Sequence, residues 1–122
     1  MRRTILIAAA TLALGLGSAV PAFAHALLRA AEPAVGSTVG HAPQDLSLTF
    51  SESVEPAFCR VTVTNAAGAR MEAGPLHGDP ANARRLLLPL KPLPPGVYTV
   101  NWHATSTDTH RTEGRFQFTV AK

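Results

Sequence analysis

Val97-Tyr98-Thr99-Val100-Asn101-Trp102-His103-Ala104-Thr105 alternates without a break: Tyr98, Val100, Trp102 and Ala104 fall on one side, Thr99, Asn101, His103 and Thr105 on the other. A period of two sustained over this length is the mark of a strand with one buried face. Downstream, Gly114 to Val120 repeats the pattern with Phe116, Phe118 and Val120 inward. Immediately upstream, Pro89, Pro92, Pro94 and Pro95 lack the ladder donor, so Pro89 to Gly96 is excluded from a sheet interior. Further back, Arg84 to Leu88 reads as a short strand, Cys59 to Thr64 as an alternating one, and Asp45 to Ser51 as a third with Leu46, Leu48 and Phe50 inward. Asn65-Ala66-Ala67-Gly68 is a turn, and Ala69 to Glu72 a short return strand. Gly36 to Pro43, Gly74 to Asn82 and the polar Ser106 to Glu113 read as loops, and His25 to Ala31 as an extended lead closed by Glu32-Pro33. No segment after the leader has a helical period. About seven short strands punctuated by ten prolines and nine glycines predict an all-β domain, a two-sheet sandwich or Greek-key barrel.

The N-terminus carries a different signal. Arg2 and Arg3 precede an apolar run from Ile5 to Leu14, and Ala22-Phe23-Ala24 ends the segment in the small-residue pattern of a cleaved export signal. A run this short falls well below the ~20 residues that a spanning helix needs. Residues 1–24 are therefore expected to be removed, leaving residues 25–122 as one small domain with one core. General secretion to the periplasm fits this leader better than twin-arginine export. Removing the leader takes Arg2 and Arg3 from eleven basic residues and leaves nine against eight acidic ones, a net charge of +1. That balance offers no argument for nucleic acid or anionic lipid as partner. A single cysteine, Cys59, excludes an internal disulfide framework.

Cleavage after Ala24 would make His25 the first residue. An α-amine titrates near pH ~8, well below a lysine, and serves as a neutral nitrogen ligand at modest cost. Amine and ring Nδ1 of one residue then close a chelate that only an N-terminal histidine offers. Asp108 and His110, spaced D-x-H between the last two strands, would add a carboxylate and a second imidazole. Amine and imidazole nitrogens suit Cu(II), Zn(II) and Ni(II), and the divalent affinity order peaks at copper. On its own, D-x-H reads more readily as a turn cap beside a solvated histidine. Its combination with a histidine at the cleavage site shifts the balance toward a metal. Cys59 shares an inward parity with Val61 and Val63 and is expected to be a buried, inert thiol. His41 and His77 are expected in solvated loops, His103 on an exposed sheet face, and Tyr98 and Trp102 in the core.

The chain resembles the CopC family of periplasmic copper-binding proteins. The residues that carry the resemblance are His25-Ala26-Leu27-Leu28, Leu48-Thr49-Phe50-Ser51-Glu52, Leu93-Pro94-Pro95-Gly96-Val97-Tyr98-Thr99-Val100-Asn101-Trp102 and Ser106-Thr107-Asp108-Thr109-His110, leading to Gly114 and Phe116. The resemblance spans essentially the whole exported chain. It implies a cupredoxin-like Greek-key β-barrel binding one Cu(II) through the His25 amine and ring, Asp108 and His110. Glu52 matches a family glutamate close to the site and is expected to support the ligands rather than bind. The resemblance further implies a monomer that sequesters or delivers copper for homeostasis or resistance, beside an inner-membrane copper-transport protein. Two departures stand out. Family members commonly have glycine where this chain has Thr109. Some hold Cu(I) in a methionine-rich loop, whereas the exported chain has Met71 alone, which argues against a thioether site.

Two other functions compete. An N-terminal histidine chelate also occurs in oxidative copper enzymes, but this domain is small, and a carboxylate ligand would fill the position that oxygen activation needs open. A plain immunoglobulin-like interaction sandwich would bind no metal tightly.

Overall fold

A computed structural model describes residues 27–122; the leader and His25 lie outside the described residues. The described residues form eight strands: β1 (Leu28–Glu32), β2 (Thr38–Val39), β3 (Asp45–Phe50), β4 (Arg60–Thr64), β5 (His77–Asp79), β6 (Asn82–Pro89), β7 (Gly96–Thr105) and β8 (Arg111–Val120). A single 3-10 turn, Pro56–Phe58, precedes β4. The strands form two four-stranded sheets, ordered β1-β3-β6-β5 and β2-β8-β7-β4. All pairings are antiparallel except β2 with β8. The expected all-β sandwich is the fold observed.

Alternation explains the packing. Leu46, Leu48 and Phe50 of β3 and Leu86 and Leu88 of β6 meet Val61 and Val63 of β4, Tyr98, Val100, Trp102 and Ala104 of β7, and Phe116, Phe118 and Val120 of β8 in one core. Burial of aliphatic and aromatic side chains from both inner faces is the main stabilising term of such a sandwich. Phe50 and Trp102 meet edge to face at 5.3 Å across the two sheets. Trp102 pairs with Gly114, where a Cβ would lie 2.6 Å from its Cζ2, so only glycine leaves room for the indole.

The structure departs from the sequence reading in short edge elements. Gly74 to Asn82 contains β5, which rests on backbone pairing with β6 rather than on an apolar stripe. Gly78 fits closely there: a Cβ would stand 3.0 Å from the Pro56 ring and press it aside by a few tenths of an ångström. Gly36 to Pro43 contains β2, only two residues long. Ala69 to Glu72 is not a strand; it contributes isolated bridges from Arg70 to Thr64 and from Glu72 to Leu90. This segment instead covers the open edge of β4: the Met71 N–H donates to Val63 O at 2.8 Å, and the Val63 N–H donates to Glu72 Oε2 at 2.7 Å. An edge donor answered by a side chain is closed to pairing with another chain.

Partial burial alone would raise the Glu72 carboxyl, but the Arg70 guanidinium and the Val63 N–H outweigh it and hold the group below its usual range. A carboxyl lowered in the folded state stabilises the fold above its unfolded value of 4.5, and that contribution is lost as pH falls through the lower folded value. Glu72→Gln is therefore expected to destabilise the domain at neutral pH. In urea melts across pH, the gap to wild type should close as the medium is acidified below about pH 4; a constant gap would contradict the assignment.

Candidate metal centre

The β7–β8 ladder runs unbroken to Thr105↔Arg111, after which the chain must reverse. It does so through Thr107, Asp108 and Thr109, with the Ser106 N–H donating to His110 O and the Thr109 N–H to Ser106 O, both at 2.9 Å. Thr109 has φ +72°, the left-handed conformation that completes a three-residue hairpin connection. This is the position where the resemblance leads one to expect glycine, and a left-handed backbone is what glycine adopts without strain. A β-branched residue is strained there by roughly 1–2 kcal/mol.

The turn brings the two predicted ligands together. Asp108 Oδ1 lies 3.2 Å from His110 Nδ1, with both side chains about half exposed. On an extended backbone a D-x-H spacing would also put both side chains on one side. The loop achieves the same juxtaposition by a turn instead. Ser106 is missing from that reading, yet it is the sole polar residue among the buried described ones, at 1% exposure. Its hydroxyl donates to Asp108 Oδ1. The signal was present in the parity: Ser106 continues the inward series Tyr98, Val100, Trp102, Ala104. The Ser106 hydroxyl is the main cause that holds the Asp108 carboxyl below its usual range, with the ring and N–H of His110 adding to it. The contacts converge on Oδ1, which also faces the His110 N–H at 3.4 Å.

One segment frames this loop. Ser53 O accepts from the Thr107 N–H at 3.1 Å, and Val54 bridges to Ser106. Two residues earlier, Ser51 exchanges backbone contacts with Leu27: its N–H donates to Leu27 O and its Oγ accepts from the Leu27 N–H, each at 2.8 Å. Glu52 sits between these two anchors, partly buried. The start of the described chain and the Asp108–His110 loop are thus tied to the same three-residue stretch. Among the described residues no third histidine, cysteine or carboxylate joins Asp108 and His110.

The remaining candidates fall apart as ligands. His41 is exposed; His77 is exposed on β5 rather than in a loop. His103 lies on the outer sheet face, paired with Glu113 at 3.1 Å. Cys59 is a correction: β4 begins at Arg60, and Cys59 instead closes the 3-10 turn, only partly buried. Its Sγ contacts Glu55 O at 3.2 Å and accepts from the Thr105 N–H at 3.4 Å, and burial pushes the thiol up, which leaves it unreactive. Met71 is buried, so no thioether is presented at the surface.

Donors to a metal at about 2.0–2.1 Å stand roughly 3 Å apart when adjacent in its shell. The Asp108–His110 spacing fits, so a metal can replace the contact between them. Fold and loop together define a small β-sandwich that presents a carboxylate–imidazole pair on one hairpin, a donor set suited to a borderline transition metal.

Known proteins place that class. The CopC domain model matches residues 28–121, and the chain belongs to the CopC family. It is 37% identical over 99 residues to Protein YobA of Escherichia coli strain K12, covering 80% of each chain. It is 34% identical to Copper resistance protein C of Escherichia coli, covering 86% of this chain and 88% of that one. The crystal structure of CopC from Methylosinus trichosporium OB3b superimposes with a TM-score of 0.74 at 30% identity, over 80% of this chain and 94% of that one. The expectation of a cupredoxin-like sandwich stands.

Thr109→Gly is expected to relieve the left-handed strain and to raise the unfolding free energy by about 0.5–1 kcal/mol, after allowance for glycine's greater freedom in the unfolded chain. Chemical denaturation checks this; a destabilised variant would mean that the Thr109 side chain contributes more than the strain removes.

Proposed function

We propose that this chain is an exported copper-binding protein that holds one Cu(II) for sequestration or delivery in the periplasm. Its ligands in this reading are the His25 amine and ring, Asp108 and His110. The observation that carries it is the Asp108–His110 pair, 3.2 Å apart on a loop anchored to the same stretch as Leu27. His25 stands only two residues before Leu27, a reach of up to about 7 Å. In this reading Glu52, one residue after the Ser51 anchor of Leu27, supports the ligands from outside without binding the metal itself. Family membership supports copper as the cargo, and the donor set, three nitrogens and one carboxylate, favours Cu(II) over Cu(I). Asp108 fills a position that an oxygen-activating centre leaves open, so the site is read as a carrier rather than a catalyst. Oxygen-dependent oxidation of a polysaccharide in the presence of reductant would overturn that part.

The chelate requires a free His25 amine. A chain with one additional residue before His25 is expected to bind Cu(II) more than about a hundredfold more weakly, since loss of an outer partner alone costs 10–100-fold. Competition titration of the two forms checks this, and equal affinities would remove the chelate.

The loop makes a separate demand. His110→Ala should weaken Cu(II) binding and change its visible and electron paramagnetic resonance spectra. Asp108→Asn keeps the shape and removes the anion, so a smaller loss is expected. Because imidazole and amine nitrogens must shed protons to bind, uptake falls on acidification in wild type. Unchanged affinity and spectra in both folded variants would place the metal elsewhere.

A further inference from the structure

Beside the hairpin that carries Asp108 and His110, the outer face of β4, β7 and β8 forms a shallow depression lined by Phe58, Arg60, His103, Thr109, Arg111 and Glu113. We propose that this face is the docking surface for an acidic protein surface, that of the partner with which copper is exchanged. The proposal rests on the copper reading above and adds to it where the partner sits and what chemistry it presents.

The register assembles the charges. Arg60 lies opposite His103, His103 opposite Glu113, Thr105 opposite Arg111, and Asn101 opposite Arg115, all on the outward parity. The one carboxylate of the depression, Glu113, is engaged by His103. Among the described residues, Arg70 is paired with Glu72 and Arg85 with Asp79, while Arg60, Arg111 and Arg115 take part in no ion pair, as do Arg29 and Arg84 on the other sheet. Three uncompensated guanidinium groups therefore share one face of a domain whose exported net charge is only +1. Planar guanidinium forks match carboxylates in bidentate fashion, and arginine is the cation enriched at protein interfaces. Neither lysine of the exported chain, Lys91 or Lys122, lies on these facing rows.

Phe58 supplies the apolar element. It is 73% exposed, more than any other large hydrophobic among the described residues. It is also held firmly: its N–H donates to Glu55 O at 2.9 Å and its carbonyl accepts from Thr105 Oγ1 at 3.0 Å. An exposed aromatic on an anchored backbone, near arginines, has the composition of an interface hot spot. Its place is functional, because Thr109 belongs both to the depression and to the turn that carries Asp108, and Arg111 directly follows His110. A partner seated here would reach the copper without crossing the sandwich.

The test uses the exported chain and a fluorescein-labelled peptide of alternating glutamate and leucine, with phosphatidylcholine vesicles containing phosphatidylglycerol as the lipid arm. Fluorescence anisotropy is expected to show peptide binding that weakens with added salt. Affinity should fall on the order of tenfold or more in the Arg60→Glu, Arg115→Glu double variant, and also in Phe58→Ser. Cu(II) affinity should stay unchanged in both, since none of these residues is a ligand. Absence of peptide binding, binding indifferent to charge reversal, or arginine-dependent binding to the vesicles alone would overturn the proposal. A wild-type chain that bound the peptide in this way but took up no Cu(II) would instead defeat the copper reading.

Discussion

Ten consecutive pairs, from Gly96↔Val120 to Thr105↔Arg111, join β7 to β8 without a bulge, and much of the molecule inherits its position from that ladder. A slip of one residue would turn Tyr98, Val100 and Trp102 out of the core and bring Asn101 and His103 into it, a loss that no local adjustment offsets. The same register fixes where the chain must reverse. It leaves Ser106 on the inward side and the next residues exposed, so the proposed donors Asp108 and His110 sit at the end of the most firmly specified element in the fold. A loop hung from such a ladder has few conformations to choose among, and rigid placement of donors is what a metal site requires.

The loop shows how local strain and local order offset each other. Thr109 occupies a conformation that threonine disfavours, and the hydrogen bonds from Ser106 to both ends of the turn hold it there. Ser106 performs two tasks with one buried side chain. It leaves no orphaned hydroxyl in the core, because Asp108 accepts its hydrogen bond, and it favours the ionised, oriented carboxylate. Loss of such a buried contact costs more than loss of a surface one, because the hydroxyl would keep only its longer bond to His110 O at 3.3 Å. Stability and donor geometry are thus coupled through a residue that need not touch the metal.

How much of this could be read beforehand depended on how loudly each feature speaks in side-chain pattern. Leu46-Ser47-Leu48-Thr49-Phe50 and the Tyr98 to Ala104 series announce their strands because burial enforces a period of two. β5 and β2 were silent, since two or three residues held by backbone bonds need no apolar stripe, and His77-Gly78-Asp79 resembles any loop. Asp108 and His110 were legible as a pair of donor types, but the turn that joins them was not, because Thr109 hides the backbone requirement that a glycine would have declared. Cys59 was misplaced by a parity argument extended one residue too far, past the end of β4 into the 3-10 turn. The arginine face was illegible for a different reason: Arg60, Arg111 and Arg115 are far apart in sequence, and only the β4-β7-β8 register makes them neighbours.

The close fit between Trp102 and Gly114 gives the molecule an optical property. Trp102 is the only tryptophan in the chain, and it is nearly shielded from water, edge-on to Phe50. An indole in so apolar a setting emits toward the blue. It also stands on the same inward row of β7 as Ser106, four residues or about 13 Å along the strand. A paramagnetic ion at the end of that strand lies near enough to quench the emission. On the proposed Cu(II) reading the domain carries its own dye, and the brightness of a single ring would report whether the hairpin is loaded.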